Sequence, residues 1–326
     1  HENINKEFTH LKIHTQYSIC EGALRTADLA KYCKTNKIKA VGLCDTNNLC
    51  GALEFSELIA KSKTQPIIGT QINIHYKGHS GKIPIFAKNL EGYKNLIKLS
   101  SKSFLEIKSD EEPHCTVEDI EKNYKGLILL SGSFDGLIGR LFFKNLTEEV
   151  SLLFKRFEKL FKEDFYLEIQ RHNDDGEKLF EKFLLNISEK LSLPIIATQE
   201  VYYLDKDMFE AHDALMCIGQ KTYVNDSNRI KLTNQHYFKS SEEMIEVFKD
   251  LPEALENNFN LPYRCSFKPN FSKPILPSIS SSEKDSNDML RLLSVEGLKE
   301  KFKLVFDMDH SFIEKDKKYL EYKKRL

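Results

Sequence analysis

The sequence has almost no net charge, and this lack limits its partners. Its 48 Lys and Arg residues are balanced by 49 Asp and Glu residues among 326 in total. A nucleic-acid-binding module usually carries a basic excess, because phosphate contacts dominate its affinity. Bulk charge therefore gives no reason to expect that this stretch grips DNA. Any DNA contact is expected to be local or to lie elsewhere in a larger protein.

Paired cysteines and long apolar runs are also missing. The seven cysteines form no CxxC pair and no zinc-ribbon spacing, which indicates reduced thiols in a cytoplasmic protein. No stretch approaches the roughly 18 apolar residues of a membrane span. The first residues lack the charged-then-apolar pattern of a secretion signal. We expect a soluble, cytoplasmic protein without a membrane partner.

What the sequence does contain is an alternation of short apolar runs with longer amphipathic ones over residues 1–267. This pattern is typical of strands followed by helices. The clearest predicted elements are strands at 39–44, 66–68, 72–74 and 165–169 and a helix at 177–191. About seven such units favour a barrel, although periodicity alone also permits a doubly wound sheet.

The composition changes after residue 267. Residues 268–284 are rich in Pro and Ser and predict a linker. Residues 285–326 contain an amphipathic helical stretch and end in a charged run, with too little apolar content to build a core of their own. We therefore predict a first domain over 1–267, a linker, and the beginning of a second domain from residue 285.

Polar residues follow several of the predicted strands. In α/β barrels the working residues gather at the carboxyl ends of the strands. The candidates are His14, Asp45, Gln71, Lys82, Ser133, His172, Glu200 and Tyr202. A multi-metal hydrolase would use His, Asp, Glu and Cys at such points, because deprotonated nitrogen, oxygen and sulfur atoms bind cations. Here Lys, Gln, Ser and Tyr dilute that set.

Seven sequence blocks in a fixed order carry a family resemblance. They are HLKIHTQYSICEGAL (10–24), GLCDTNNLCGALEF (42–55), PIIGTQINI (66–74), IFAKNLEGYKNLIKL (85–99), GLILLSGSFDGLIGRL (126–141), FYLEIQRH (165–172) and IIATQEVYYLDKDMFEAHDALMCIGQK (195–221). The set resembles the polymerase-and-histidinol-phosphatase (PHP) domain of bacterial replicative DNA polymerases, and it is far more specific than one motif. The resemblance implies a distorted (β/α)7 barrel, followed by a short, mainly helical start of the polymerase (palm) region.

The resemblance also implies a metal site that this chain keeps only in part. The positions that match retained ligands are His14, Asp45, His172 and Glu200, and Glu168 belongs to an intact EIQxH element. The positions where the family has other ligands hold Lys12, Thr46, Gln71, Lys82, Ser133 and Tyr202. Cation affinity falls steeply when several ligands are lost. The resemblance therefore implies a vestigial site with no metal, and no catalytic or cofactor-binding residue in this chain.

Several residues have two interpretations at this point. Lys12 either points inward and pairs with Asp45 or Glu200, or lies in solvent. Asp45 is either a residual ligand or a structural acceptor that holds the loop after it. His14 and His172 are either residual ligands or partly buried histidines bonded to a neighbour, which is the commoner state.

The function implied by the resemblance is a part in DNA replication. A complete polymerase of this family extends primed DNA with Mg²⁺ held by palm aspartates, and those aspartates have no match here. This chain is then expected to be a scaffold and a docking platform for the proofreading exonuclease subunit, with DNA bound by the polymerase domain. The alternative is a metal-dependent PHP phosphoesterase or proofreading exonuclease. A separate phosphatase of the histidinol phosphate type fits the block order less well.

Overall fold

The apolar runs form the strands of a curved sheet, and the amphipathic runs form helices around it. The computed structural model describes residues 6–18, 24–105, 108, 110–220 and 232–265. The strands are β1 (His10–Ile13), β2 (Ala40–Thr46), β3 (Gln65–Tyr76), β4 (His79–Ala87), β5 (Cys115–Thr116), β6 (Leu127–Leu130), β7 (Phe165–Ile169), β8 (Ile195–Ala197) and β9 (Glu200–Val201). The helices are α1 (Thr26–Thr35), α2 (Ala52–Lys61), α3 (Leu90–Leu105), α4 (Val117–Lys122), α5 (Leu137–Phe143), α6 (Thr147–Phe161), α7 (Glu177–Leu191), α8 (Phe209–Gln220), α9 (Ser241–Val247) and α10 (Pro252–Arg264).

The strands form a ring. Their hydrogen-bonded order is β8-β7-β6-β4-β3-β2-β1-β9, with β5 beside β3. β8 and β9 lie on one short segment, residues 195–201, in which β8 pairs with β7 and β9 pairs with β1. This segment therefore joins the two ends of the sheet. The ring positions are β1, β2, β3, β4, β6, β7 and the joining segment, which confirms the predicted distorted (β/α)7 barrel.

The distortion of the barrel lies in β4. The pairs of β1 with β2, β2 with β3, and β6 with β7 are all parallel. β4 runs antiparallel to both β3 and β6. The connection from β3 to β4 is a tight turn at Lys77 and Gly78, both with positive φ, and a turn that short can join only antiparallel strands.

One predicted break in the sheet is wrong. Residues 66–68 and 72–74 are parts of a single strand, β3, which passes through Gly69 without interruption. A Cβ atom at Gly69 would overlap the ring of Phe86 on β4. The glycine is therefore needed for close approach of a neighbouring side chain rather than for a turn.

The interior of the barrel is apolar toward the amino ends of the parallel strands. The buried residues that form this cluster are Leu11, Ala40, Cys44, Ile67, Phe86, Ile128, Leu130, Tyr166 and Ile196, with Leu261 and Cys265 from the end of α10. The register of β1 against β2 shifts within the strand, which is a β-bulge. Both Leu11 and the next residue, Lys12, contact interior residues as a result. Gly42 makes room, because a Cβ there would meet the Leu11 backbone.

Helix α10 fastens the point where the ring closes. The Asn258 side chain donates to the carbonyl oxygens of Thr9 and Ala197, both at 2.9 Å, and accepts from the Thr9 N–H at 2.8 Å. These groups lie next to β1 and at the end of β8. The predicted linker at 268–284 and the predicted second domain from residue 285 lie outside the described residues. In the described part, no helix is long and apolar enough to cross a membrane.

Replacing Asn258 by Ala is expected to destabilise the fold by about 3 kcal/mol, because the buried Thr9 N–H and two carbonyl groups lose their partner. The measurement is the free energy of unfolding in urea. The control is Asn260→Ala, an exposed asparagine of the same helix, for which a change within about 0.5 kcal/mol is expected. Equal effects of both substitutions would contradict a fastening role for Asn258.

Candidate functional site

A buried lysine lies at the centre of the candidate site. Lys12 is fully buried, and its Nζ atom lies 3.1 Å from Glu168 Oε2 and 3.3 Å from Glu200 Oε1. Burial lowers the pKa of Lys12, but the nearby carboxylates of Glu168 and Glu200 raise it by a larger amount, so the pKa of Lys12 lies above its ordinary value. The inward, salt-bridged orientation of Lys12 is thus confirmed, and the side chain is an ammonium ion.

The carboxylate of Glu168 is held on several sides. Its Oε2 atom accepts from Gln170 Nε2 at 2.9 Å and from the Thr198 hydroxyl. The Glu168 N–H donates to Ser131 Oγ at 2.9 Å. The Gln170 and Thr198 donors add to the Lys12 ammonium in stabilising this buried negative charge. Glu168 is therefore fixed in position before any ligand is considered.

Glu200 connects the lysine to a histidine. Its Oε1 atom lies 3.5 Å from His14 Nε2 as well as close to Lys12. Burial raises the pKa of Glu200, but Lys12 and His14 lower it well below its ordinary value. His14 is fully buried and stacks on Tyr202, with 4.2 Å between the ring centroids and 3° between the planes. Among the described residues, His14 Nδ1 has no hydrogen-bond partner.

Asp45 belongs to a different hydrogen-bond group. Its carboxylate accepts from the Thr15 N–H at 2.7 Å, the Thr15 hydroxyl at 2.6 Å and the Ser18 hydroxyl at 2.8 Å. Of the two expected partners of Lys12, the structure shows Glu200, whereas the Asp45 carboxylate bonds to Thr15 and Ser18. Asp45 is a structural acceptor, but it holds the loop after β1 rather than its own loop. Next to it, Gln71 Nε2 donates to Thr46 Oγ1 at 3.0 Å.

His172 is buried and bonded on both ring nitrogens. Its Nε2 atom accepts from the Glu200 N–H at 3.1 Å, and Nδ1 lies 3.3 Å from Glu177 Oε2. Burial lowers the pKa of His172 to about 3, so the ring is neutral at physiological pH. The ring stacks on His236, with centroids 4.2 Å apart and planes 5° apart.

The opening of the barrel at the carboxyl ends of its parallel strands is called the mouth here. Three residues at the mouth have the side-chain types of a metal-ligand group. Atoms of His172, Asp174 and His236 lie within 4.8 Å of one another. However, the lone pair of an imidazole lies in its ring plane, and an ion cannot lie in the planes of two parallel stacked rings. The Nε2 lone pair of His172 also accepts the Glu200 N–H. Binding by both rings would require one of them to turn and give up existing contacts.

The same mouth concentrates carboxyl groups. Burial raises the pKa of Asp174 to about 7, with a further increase from the charges of Glu177 and Asp135. Burial also raises the pKa of Glu177 to about 7, although the N–H groups of His172 and Asn173 lower it. These two carboxyl groups therefore gain and lose protons near neutral pH, whereas the Glu200 carboxylate stays ionised.

The remaining predicted positions lie at the edge of this arrangement. Ser133 donates to the carboxylate of Asp135, close to its own position in the chain. Lys82 lies on β4 opposite Asn73 of β3 and is half-buried. The structure thus brings Lys12, His14, His172 and Glu200 into one connected network, together with Glu168.

Sequence reasoning missed several members of this network. Asp174, Glu177 and His236 did not appear among the candidates, although the first two lie in the polar run HNDDGE directly after β7. That run was a usable signal, because polar residues after a parallel strand point to the site. His236 had no such signal, since it is separated from the strands in the chain and reaches the site through contacts with His172, Asp174 and Tyr202.

Replacing Lys12 by Met is expected to destabilise the protein by about 3–5 kcal/mol at pH 7, because the buried Glu168 and the half-buried Glu200 lose their cation. The control is Lys61→Met, which removes an exposed i,i+4 pair with Glu57 and should cost about 0.5 kcal/mol. The pKa of Glu200 is lower in the folded protein than its ordinary value of 4.5, so the ionised carboxylate stabilises the folded state above pH 4.5. This stabilisation is lost as the pH falls through the pKa of Glu200 in the folded state. The difference between wild type and Lys12→Met should thus narrow below pH 4.5. A constant difference across that range would contradict the ion-pair explanation.

Replacing Asp174 by Asn is expected to stabilise the protein by roughly 1–2 kcal/mol at pH 8. The pKa of Asp174 rises from 3.8 to about 7 on folding, so the folded state holds an extra proton between these values and loses stability as the pH rises. The gain from Asn should therefore shrink as the pH falls to 5. Urea unfolding at both values is the measurement, with the exposed neighbour in Asp175→Asn as the control. A gain that is equal at the two pH values would argue against a raised pKa.

The chain is similar in sequence to a known family and to named proteins. The PHP domain family matches residues 10–172. The chain is 36% identical to DNA polymerase III subunit alpha of Rickettsia bellii over 94% of this chain and 26% of that protein. It is 35% identical to the protein of the same name from Rickettsia prowazekii, over 98% of this chain and 27% of that protein. The chain thus spans about a quarter of the length of these relatives.

A solved structure of an amidohydrolase from Chromobacterium violaceum is also similar, with a TM-score of 0.39 and 10% identity over 64% of this chain and 96% of that chain. A likeness of that strength carries no argument about fold, family or activity. The family match covers half of the chain and includes β1, where Lys12 lies, and the EIQxH element of β7. The ring of strands, the residues at its carboxyl end and the sequence match lead to the same family. The chain belongs to the PHP domain family.

Proposed function

We propose that this chain is the PHP region of a bacterial DNA polymerase III α subunit, and that it serves this polymerase as a metal-free structural module. The relatives named DNA polymerase III subunit alpha support the first part, because they align with 94% and 98% of this chain. In the complete subunit, the expected reaction is template-directed extension of primed DNA. Mg²⁺ held by palm aspartates outside this chain would stabilise the charge that develops on the transferred phosphate.

The buried ammonium of Lys12 is the single observation that supports a module without metal. A PHP metal cluster would place cations among the side chains at the carboxyl end of the barrel, and these cations need deprotonated ligands. Here a positive charge from the chain itself already satisfies Glu168 and Glu200. The neighbouring positions Thr46 and Gln71 supply a hydroxyl and an amide bonded to each other. The residues present do not fit a multi-ion cluster.

The partners follow from the same proposal. The proofreading exonuclease subunit is the expected protein partner of this region, and DNA is expected to bind to the polymerase domain rather than here. The near-zero net charge of this chain supports that division, because phosphate binding usually needs a basic excess. A replicative polymerase acts on chromosomal DNA, so we place the protein in the cytoplasm.

The rival function is a metal-dependent phosphoesterase or proofreading exonuclease. One observation favours it, namely the proximity of His172, Asp174 and His236. The parallel stacking of the two rings and the bond from the Glu200 N–H to His172 count against it. The two functions differ in metal content, which is directly measurable.

The test is elemental analysis of the purified, untagged chain after dialysis with zinc, manganese and iron. We expect less than about one tenth of an ion per chain and no hydrolysis of a phosphoester, because Lys12 supplies the cation. The double variant Lys12→His, Tyr202→His should bind more metal than wild type, and Lys61→His on an exposed helix face is the control. Two or three ions per wild-type chain would favour the rival function.

The polymerase assignment has its own readout. The complete subunit that contains this chain is expected to extend a primed template in Mg²⁺ and to stop when the metal is chelated. Lys12→Met in the complete subunit should lower the temperature at which the subunit unfolds. At low temperature its initial extension rate should stay close to that of wild type. A complete subunit that is folded but incapable of extension would overturn the assignment, whatever the metal analysis gives.

A further inference from the structure

The exposed face of α8 carries a stripe of apolar side chains. Met208, which precedes the helix, is 46% exposed, Leu215 is 52% exposed and Ile218 is 74% exposed. Ala211 and Ala214 are exposed between them. These positions recur every three or four residues and so lie on one side of the helix. We call this set (Met208, Ala211, Ala214, Leu215 and Ile218) the α8 stripe.

Exposed apolar side chains are concentrated in the α8 stripe. Ten large apolar side chains are exposed in the described part of the chain, and three of them belong to the stripe. The other seven are distributed over six helices: Leu90, Phe104, Phe143, Leu152, Leu179, Ile245 and Tyr263. Single exposed apolar residues are ordinary on protein surfaces, whereas several on one face mark an interaction site.

The charges beside the stripe select the kind of partner. Asp205, Asp207 and Glu210 are exposed at the amino end of α8, and Lys206 is the one exposed cation among residues 205–218. This local excess of acid contrasts with the balanced charge of the whole chain. A surface that combines an apolar row with an acidic end is complementary to an amphipathic helix with basic residues next to its apolar face.

We propose that the α8 stripe is a docking surface for an amphipathic, basic helix of a protein partner. This inference rests on the proposed role of the chain as a docking platform and gives that role a location. The same acidic end disfavours the other occupants. It repels nucleic acid and anionic lipid surfaces, and a second copy of the chain would bring the same acidic face against itself.

The first experiment uses a synthetic helical peptide with a leucine stripe flanked by Lys, and a second peptide in which Glu replaces each Lys. Fluorescence anisotropy measures binding of each peptide to the 326-residue chain. We expect the basic peptide to bind at least about tenfold more tightly than the acidic one. Leu215→Gln with Ile218→Gln should weaken the basic peptide at least about tenfold. Asp207→Asn with Glu210→Gln should reduce the ratio by which the chain binds the basic peptide more tightly than the acidic one.

The matched control is Leu179→Gln, which removes a leucine of similar exposure, 58%, from α7. It should leave the affinity for the basic peptide unchanged. The proposal is overturned if Leu179→Gln weakens binding as much as the double substitution, or if both peptides bind equally well. It is also overturned if the chain binds anionic phospholipid vesicles or forms a dimer through this face, and the double substitution abolishes that association instead. All variants are compared with wild type by circular dichroism and urea unfolding.

A second experiment separates this proposal from the function on which it rests. The complete subunit, as wild type and with Leu215→Gln and Ile218→Gln, is mixed with the proofreading exonuclease of the same organism and analysed by gel filtration. Loss of the complex in the variant supports the α8 stripe as the docking surface. An intact complex in the variant overturns the surface but keeps the docking role. No complex with the wild type overturns the docking role, while the peptide experiment still decides whether the stripe binds a basic helix.

Discussion

The buried ion pair of Lys12 with Glu168 and Glu200 is the constraint on which the rest of the site depends. Lys12 lies on β1 directly opposite Glu200 on β9, and Glu168 lies on β7 opposite Ile196 on β8. The ion pair therefore spans the place where the ring of strands closes. A buried charge without its partner costs several kcal/mol, so the cluster is satisfied only when these strands come together.

Two further features serve the same closure. The bulge in β1 lets both an apolar and a charged side chain enter the interior, and Gly42 on β2 leaves room for it. Below the ions the interior is apolar and is closed by Leu261 of α10. Asn258 of the same helix bonds the backbone on both sides of the closing point. The closure of the ring is thus stabilised both by the buried ion pair and by the hydrogen bonds of Asn258.

The mouth of the barrel has the opposite electrostatic character from its centre. At the centre each carboxylate has a cation or several donors, whereas at the mouth Asp174 and Glu177 lie close together and their pKa values rise to about 7. His172 between these regions is neutral, because burial lowers its pKa to about 3. The positive charge of the site is supplied by the chain itself. This distribution is the physical basis for proposing a structural role for the barrel.

The sequence by itself determined the local elements and the family. The predicted bounds of β7 and α7 are confirmed, and Thr116 caps α4 with a capping box. These features depend on near neighbours in the chain. The continuity of β3 through Gly69, the hydrogen bonds of α10 to the ring and the partners of Lys12 were decided only by the tertiary structure. Each depends on residues far apart in the sequence, as Lys12 and Glu168 are, whose proximity arises when the ring closes. Periodicity records which side chains are buried, but only the closed barrel determines which buried charges meet.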